Sequence, residues 1–236
     1  MEIIGVLTGD VIKSSRIENK GYLISSLRST FKEIQKHQLD HNDKFEIFRG
    51  DSFQIKLSRP EKAIITAILL KSKLRGITNE KHQSPSRVGA GNRKLPRYVP
   101  LHLIWDARIS IGIGSADYKN SRLGASSGEA FTYSGHGLDE MKKSGETLKI
   151  TTPWKEVNNE LNVSTRLVDA MIQKWSVTSS ETIFLNLLKD STQKELAEVL
   201  KKTQPAIHKR LMNANEMEIK LYIERFEYLI RKKING

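Results

Sequence analysis

Apolar positions recur along this chain with two periods, and each period marks a kind of element. Residues 3–10 (IIGVLTGD) read as a buried strand that ends in an acid. In 18–37 (ENKGYLISSLRSTFKEIQKH), Leu23, Leu27, Phe31 and Ile34 recur at helical spacing. Residues 44–57 (KFEIFRGDSFQIKL) alternate on either side of an Arg-Gly-Asp corner, the pattern of two strands joined by a tight hairpin. Pro60 opens the next helical run, which keeps Ile64, Ile65, Ile68 and Leu69 on one side. Residues 81–100 concentrate Pro, Gly, Ser and Arg and predict a long loop. Beyond it come a strand at 108–114 (RISIGIG), a loop and helix over 128–145 closed by Gly145, and a short strand at 146–151.

The order is therefore β-α-β-β-α-β-α-β. A right-handed crossover makes its two strands parallel while the hairpin makes a pair antiparallel, so the expectation is an α+β domain with a mixed sheet and helices on one face, of the ferredoxin-like or palm type. Residues 1–152 form that domain in this reading. From 153 onward the pattern is helical, which predicts an all-α domain over 153–236.

Within that second part, residues 192–212 carry the sharpest local signal. Thr192 and Glu195 have the spacing of a capping box, with Leu196, Ala197 and Leu200 on the buried side of the helix they start. A turn at Lys201-Lys202-Thr203 leads to a second helix with Gln204 and Pro205 in its first turn and Ile207 and Leu211 inward. This is the layout of a helix-turn-helix, whose second helix would offer Gln204, His208 and Lys209 to bases or phosphates and Thr203 and Arg210 to the backbone. An α-hairpin that only dimerises has the same pattern. The last amphipathic helix, 216–233, suits packing or dimerisation, and a homodimer is the expected state.

Charge adds to this picture. The formal net charge is +12 and the pI about 9.7, which favours a polyanionic partner, DNA first. The absence of cysteine excludes a disulfide framework and thiolate metal sites, and fits a cytoplasmic setting. No apolar run approaches a membrane span, so no membrane partner is expected.

Two aspartates are the candidate chemistry of the first domain. Asp10 ends the first strand and Asp51 starts the strand leaving the hairpin, positions that a palm-like sheet brings side by side. Two adjacent carboxylates repel unless a cation lies between them, and Mg²⁺ shared by two carboxylates and substrate phosphates is a common solution. Gly9 and Gly50 precede them and would let a phosphate approach the backbone, with Ser52 beside it. Each aspartate alone also suits a turn cap.

The segments GVLTGDVIKSS, FEIFRGDSFQIKL, RISIGIGS and SGEAFTYSGHGLDEM together resemble the catalytic domain of class III nucleotide cyclases and the palm of related nucleotidyltransferases, over about residues 3–150. That resemblance implies metal-binding roles for Asp10 and Asp51. It also sets Thr132 and His136 where cyclases keep an Asn and a charge-stabilising Arg, and Phe45 where many keep a base-reading Lys. These departures weaken transition-state stabilisation and leave open whether the domain is an enzyme. Arg87, Arg93, Lys94 and Arg97 of the long loop are candidates for a lid over a triphosphate. In whole-chain organisation, a Gly-Asp palm-like domain followed by a helix-turn-helix, the sequence resembles the SatD family of bacterial proteins. The expected function is a DNA-binding regulator with a nucleotide- or metal-binding sensor domain. The alternative is a Mg²⁺-dependent nucleotide cyclase or nucleotidyltransferase that its helix-turn-helix dimerises or tethers.

Overall fold

The computed structural model describes residues 2–17, 19–48, 50–77, 101, 104–117, 123 and 126–236. The four basic lid candidates of the long loop lie outside the described residues. Strand β1 (Glu2–Val11) is followed by α1 (Lys20–Gln38), the hairpin strands β2 (Lys44–Phe48) and β3 (Ser52–Leu57), and α2 (Ala63–Gly76). Then come β4 (Ala107–Asp117), the two-residue β5 (Ser127–Gly128), α3 (Glu129–Ser144) and β6 (Leu148–Thr151).

The sheet runs β2-β3-β1-β4, with β5 and β6 both on the far side of β4. β1 is antiparallel to β3 and β4, and β2 is antiparallel to β3, whereas β6 joins β4 in parallel. The two crossovers β1-α1-β2 and β3-α2-β4 therefore each connect parallel strands with one strand between them, the ferredoxin-like arrangement. The sheet is mixed, as the element order requires.

Side-chain alternation divides the sheet into two faces. Leu7, Phe53, Ile55, Leu57, Ile109, Ile111 and Ile113 share a buried cluster with Leu23, Leu27, Phe31 and Ile34 of α1 and with α2. Ile4 and Val6 instead form a small separate cluster with Ala130 of α3. Two helices thus cover one face, but α3 packs on the opposite face over β1 and β4, which corrects the expectation of helices on one face only. Glycine on β4 permits that layer: a Cβ on Gly112 would stand 2.1 Å from the Ala130 carbonyl oxygen.

Five helices complete the chain: α4 (Lys155–Ile172), α5 (Val177–Lys189), α6 (Gln193–Leu200), α7 (Gln204–Asn213) and α8 (Glu216–Asn235). Their apolar residues Val157, Ile172, Phe184, Ile207, Ile219 and Phe226, with Trp175 between α4 and α5, belong to the same continuous cluster as the α1–α2 face of the sheet. α2 lies between the sheet and this helical region and is buried almost all round, consistent with its unbroken AIITAILL run. Among the described residues no helix is long and apolar enough to cross a membrane.

Candidate ligand corner and candidate nucleic-acid face

The β1 end and the hairpin meet as the sequence implies. Asp10 pairs in register with Ser52, and the Val11 amide donates to the Asp51 carbonyl oxygen at 3.0 Å. Gly50 supplies the positive φ of 83° that closes the hairpin, with no atom within 4 Å of where a side chain would start. Ser14, on a single 3₁₀ turn (Ser14–Arg16) after β1, donates its hydroxyl to Asp51 Oδ2. The Ser52 hydroxyl stands 3.5 Å from Asp51 Oδ1. Lys13, just before this turn, is held left-handed at φ 56°, uncommon for a residue with a side chain.

Asp10 has a different partner. Arg108 lies directly opposite it on β4, and the guanidinium donates from Nε to Oδ1 at 2.8 Å and from Nη2 to Oδ2 at 3.0 Å. The pair is half-sheltered, with the side chains 14% exposed for Asp10 and 26% for Arg108. The cation beside Asp10 is therefore an arginine, in the bidentate geometry that satisfies a carboxylate best. Sequence reading missed Arg108, because only the β1–β4 register reveals that it faces Asp10.

This bears on Mg²⁺. A hard cation takes one or two carboxylates and completes its shell with water and phosphate oxygens. Asp51 fits that role: among the described residues its carboxylate is met by the two serine hydroxyls and by no lysine or arginine. Asp10 fits less well, since both of its oxygens already accept from Arg108. Among the described residues no group of three or more His, Asp or Glu side chains stands together.

The remaining palm candidates separate. At Gly9 packing accounts for the missing side chain, because a Cβ there would lie 2.5 Å from the Phe53 ring. Phe45 stacks on Phe31 of α1 at 4.9 Å, on the core face, and so lines no base site beside Asp10. Thr132 is exposed and returns its hydroxyl to the Gly128 carbonyl at 3.1 Å, a bond within the first turn of α3. His136 is exposed on α3 and lines a groove of about 650 Å³ between α3, β6 and α4, with Tyr133, Lys149, Asn162 and Arg166. Glu140 on the same rim is held below the ordinary carboxylate range, first by its hydrogen bond from Lys149.

The helical candidates lie together on α7 and its approach. The capping box is formed: the Thr192 hydroxyl accepts from the Glu195 amide, and the Glu195 carboxylate accepts from the Thr192 amide at 2.7 Å. Lys201 turns left-handed at φ 50°, and the Lys202 amide closes α6 by donating to the Ala197 carbonyl at 2.9 Å. Leu196, Ile207 and Leu211 are buried, and α7 packs against both α5 and α6. On the outer side Thr203, Gln204, His208 and Lys209 are exposed, together with Lys194, Lys201 and Lys202. Arg210 departs from expectation: it faces α5, 3.6 Å from Glu181 and 3.4 Å from the Thr182 hydroxyl, with its side chain 17% exposed. An arginine so engaged is not offered to a phosphate.

No family model matches this chain, and no curated protein matches it. Among solved structures it is similar to a bacterial light-regulated adenylyl cyclase, at 18% identity and TM-score 0.38 over 63% of this chain and 75% of that one. It is similar to the active GGEEF domain of a diguanylate cyclase from Vibrio cholerae, at 13% identity and TM-score 0.34 over 65% of this chain and 85% of that one. The third is a Trypanosoma brucei adenylate cyclase, at 12% identity and TM-score 0.33 over 57% of this chain and 68% of that one. Likenesses this distant decide nothing about activity.

Proposed function

We propose that the chain is a DNA-binding regulatory protein in which α7 enters the major groove and the palm-like domain binds a nucleotide or a nucleotide–metal complex at the Asp51 corner. The observation that carries this reading is the outer face of α7. Gln204, His208 and Lys209 are exposed on α7, whose inward Ile207 and Leu211 are buried, and Lys201 and Lys202 precede its start. A helix presented in this way places an amide for bidentate contact with adenine and cations for phosphates. One such helix reads few base pairs, so two copies bound to paired half-sites belong to the same proposal.

At the palm corner, Asp51 would hold the ion with Ser14 and Ser52 beside it, and Mg²⁺ bound there would supply charge neutralisation for phosphates. Arg108 on Asp10 favours binding over turnover, since two-metal chemistry needs both carboxylates for cations. The adjacency of Asp10 and Asp51 favours a second reading, Mg²⁺-dependent nucleotidyl transfer. Release of pyrophosphate from any nucleoside triphosphate with Mg²⁺ would establish that second reading.

The test of the first is a salt titration of the full chain against duplex DNA. Binding should be strong at low ionic strength and fall steeply with salt, and Lys209→Ala should reduce the logarithmic slope by about one. Gln204→Ala should relax sequence preference by about 1–3 kcal/mol at one position. No binding at low ionic strength would overturn the reading. Asp51→Asn should weaken Mg²⁺–nucleotide binding in calorimetry and leave DNA binding intact.

A further inference from the structure

The Asp51 corner and α7 are joined by a buried chain of hydrogen bonds that the two functions do not themselves require. At the corner, the Ile12 amide, between Asp10 and Ser14, donates to the Asp106 carbonyl oxygen at 2.8 Å. The Asp106 side chain, buried before β4, accepts from Lys71 Nζ at 2.9 Å and from Arg75 Nη1 at 2.7 Å. Arg75 uses its other terminal nitrogen to donate to the carbonyls of Gln173, at 2.8 Å, and Trp175, at 2.9 Å, in the connection between α4 and α5. Trp175 is fully buried, and its indole Nε1 donates to the Ala214 carbonyl at 3.0 Å. Ala214 closes α7, its own amide donating to the carbonyls of Arg210 and Leu211.

Lys71 also donates to the Ala107 carbonyl and the Thr147 hydroxyl, and Thr147 donates to Asp169 of α4. Two cations and two carboxylates are thus enclosed between the sheet, α2 and the helical region. Such networks gain little stability over apolar packing of equal volume, and their best attested use is to fix one register among alternatives. Here the register is that of the corner turn relative to the two ends of the α5–α7 unit.

From this geometry we infer that Arg75 and Trp175 couple the Asp51 corner to α7, so that a phosphate–metal ligand at the corner changes DNA affinity. The inference rests on the functional reading above. A ligand shifts an equilibrium only through contacts that differ between two states. The differing contact is identifiable: a cation on Asp51 competes for the oxygen that accepts from Ser14, and it thereby releases the turn that carries Lys13 in its left-handed conformation and Ile12 on Asp106. The end of α7 feels this through Arg75, whose fork reaches both Asp106 and the Trp175 carbonyl.

The experiment measures duplex DNA affinity of the full chain with and without Mg²⁺ and each nucleoside triphosphate, alongside direct titrations of each partner alone. For the unaltered protein the ratio of the two DNA affinities should be about fivefold or more from unity, in either direction. Trp175→Phe keeps an aromatic ring but removes the N–H donor together with the five-membered ring of the indole, and Arg75→Lys keeps the charge on Asp106 and removes the fork. Either variant should bring the ratio to within about twofold of unity while both separate affinities persist. A ratio of one in the unaltered protein, with both partners bound, overturns the coupling and leaves the functional reading standing. A ratio unchanged in both variants overturns the assigned route. If either partner fails to bind the unaltered protein, the functional reading falls first and the coupling with it. Should Arg75→Lys lose its native circular dichroism, Trp175→Phe decides.

Discussion

Arg108 is the residue that most changes the reading of the palm-like domain. A carboxylate that both arms of a guanidinium satisfy gains nothing from a metal until that guanidinium leaves. Arg108→Gln should therefore tighten Mg²⁺ binding several-fold, by returning the Asp10 oxygens to a cation that Asp51 already fits. The same substitution should cost about 1–2 kcal/mol of stability, the worth of charge-assisted hydrogen bonds in a half-sheltered site. Calorimetric Mg²⁺ titration and urea unfolding check the two halves, and an unchanged Mg²⁺ affinity would show that Arg108 does not compete for the site. At this scale the sequence revealed chemistry but not partnership. Asp10 and Asp51 were legible as carboxylates after glycines, and Gly50 as a turn residue. Register was not legible, and register assigns Arg108 to Asp10, Phe53 to the space above Gly9, and Phe45 to the stack with Phe31. Arg210 was misread for a related reason: its helical position was right, but α5, which occupies it, is distant in sequence.

Elements were far more legible, because period and capping are local. The strand and helix order came directly from alternation, and the α6 start came from Thr192 and Glu195. The placement of α3 on the second face was written less plainly. Its signal is the even-numbered series Ser110, Gly112 and Gly114 in β4, small residues along one face where positions 109, 111 and 113 are isoleucine. The cap at α6 supports a direct test. Thr192→Ala should remove about 1 kcal/mol of stability, the usual worth of an N-cap hydroxyl, measured by urea unfolding at neutral pH. Glu195 adds a pH dependence of known sign. Its pKa is lowered from the ordinary 4.5, chiefly by the Thr192 amide and then by the Thr192 hydroxyl. A depressed folded value means that this contribution is present above about pH 4.5 and is lost as pH falls through the lower folded value. Glu195→Gln should accordingly flatten the acid limb of the stability profile in that window. A profile identical to that of the unaltered chain would show that the carboxylate half of the box contributes nothing in solution.

For the whole molecule, the decisive feature is that the sheet and the C-terminal helices share one buried cluster and one buried ionic network. Sequence pattern marked the change from α+β to all-α near residue 153 but gave no sign that α2 serves both regions. The structure buries α2 almost all round, and a helix so buried needs neighbours on more than one side. Lys71 tests the consequence. Its side chain is 0% exposed, 2.9 Å from Asp106 and 3.9 Å from Asp169. Replacing it with methionine keeps most of the volume and leaves a carboxylate pair short of one cation, and removing one partner of a buried network costs about 3–5 kcal/mol. The three tryptophans report on both regions, Trp105 before β4 and Trp154 and Trp175 at either end of α4. If the shared core makes the chain one cooperative unit, tryptophan fluorescence and far-ultraviolet circular dichroism should give coincident urea transitions for the unaltered protein. Lys71→Met should then shift both transitions together to lower urea. Separation of the two probes in the unaltered protein, with a helical signal that survives the loss of Trp105 burial, would mean that the helices after residue 153 fold without the sheet, and that the network at Asp106 joins two independently stable parts rather than holding one together.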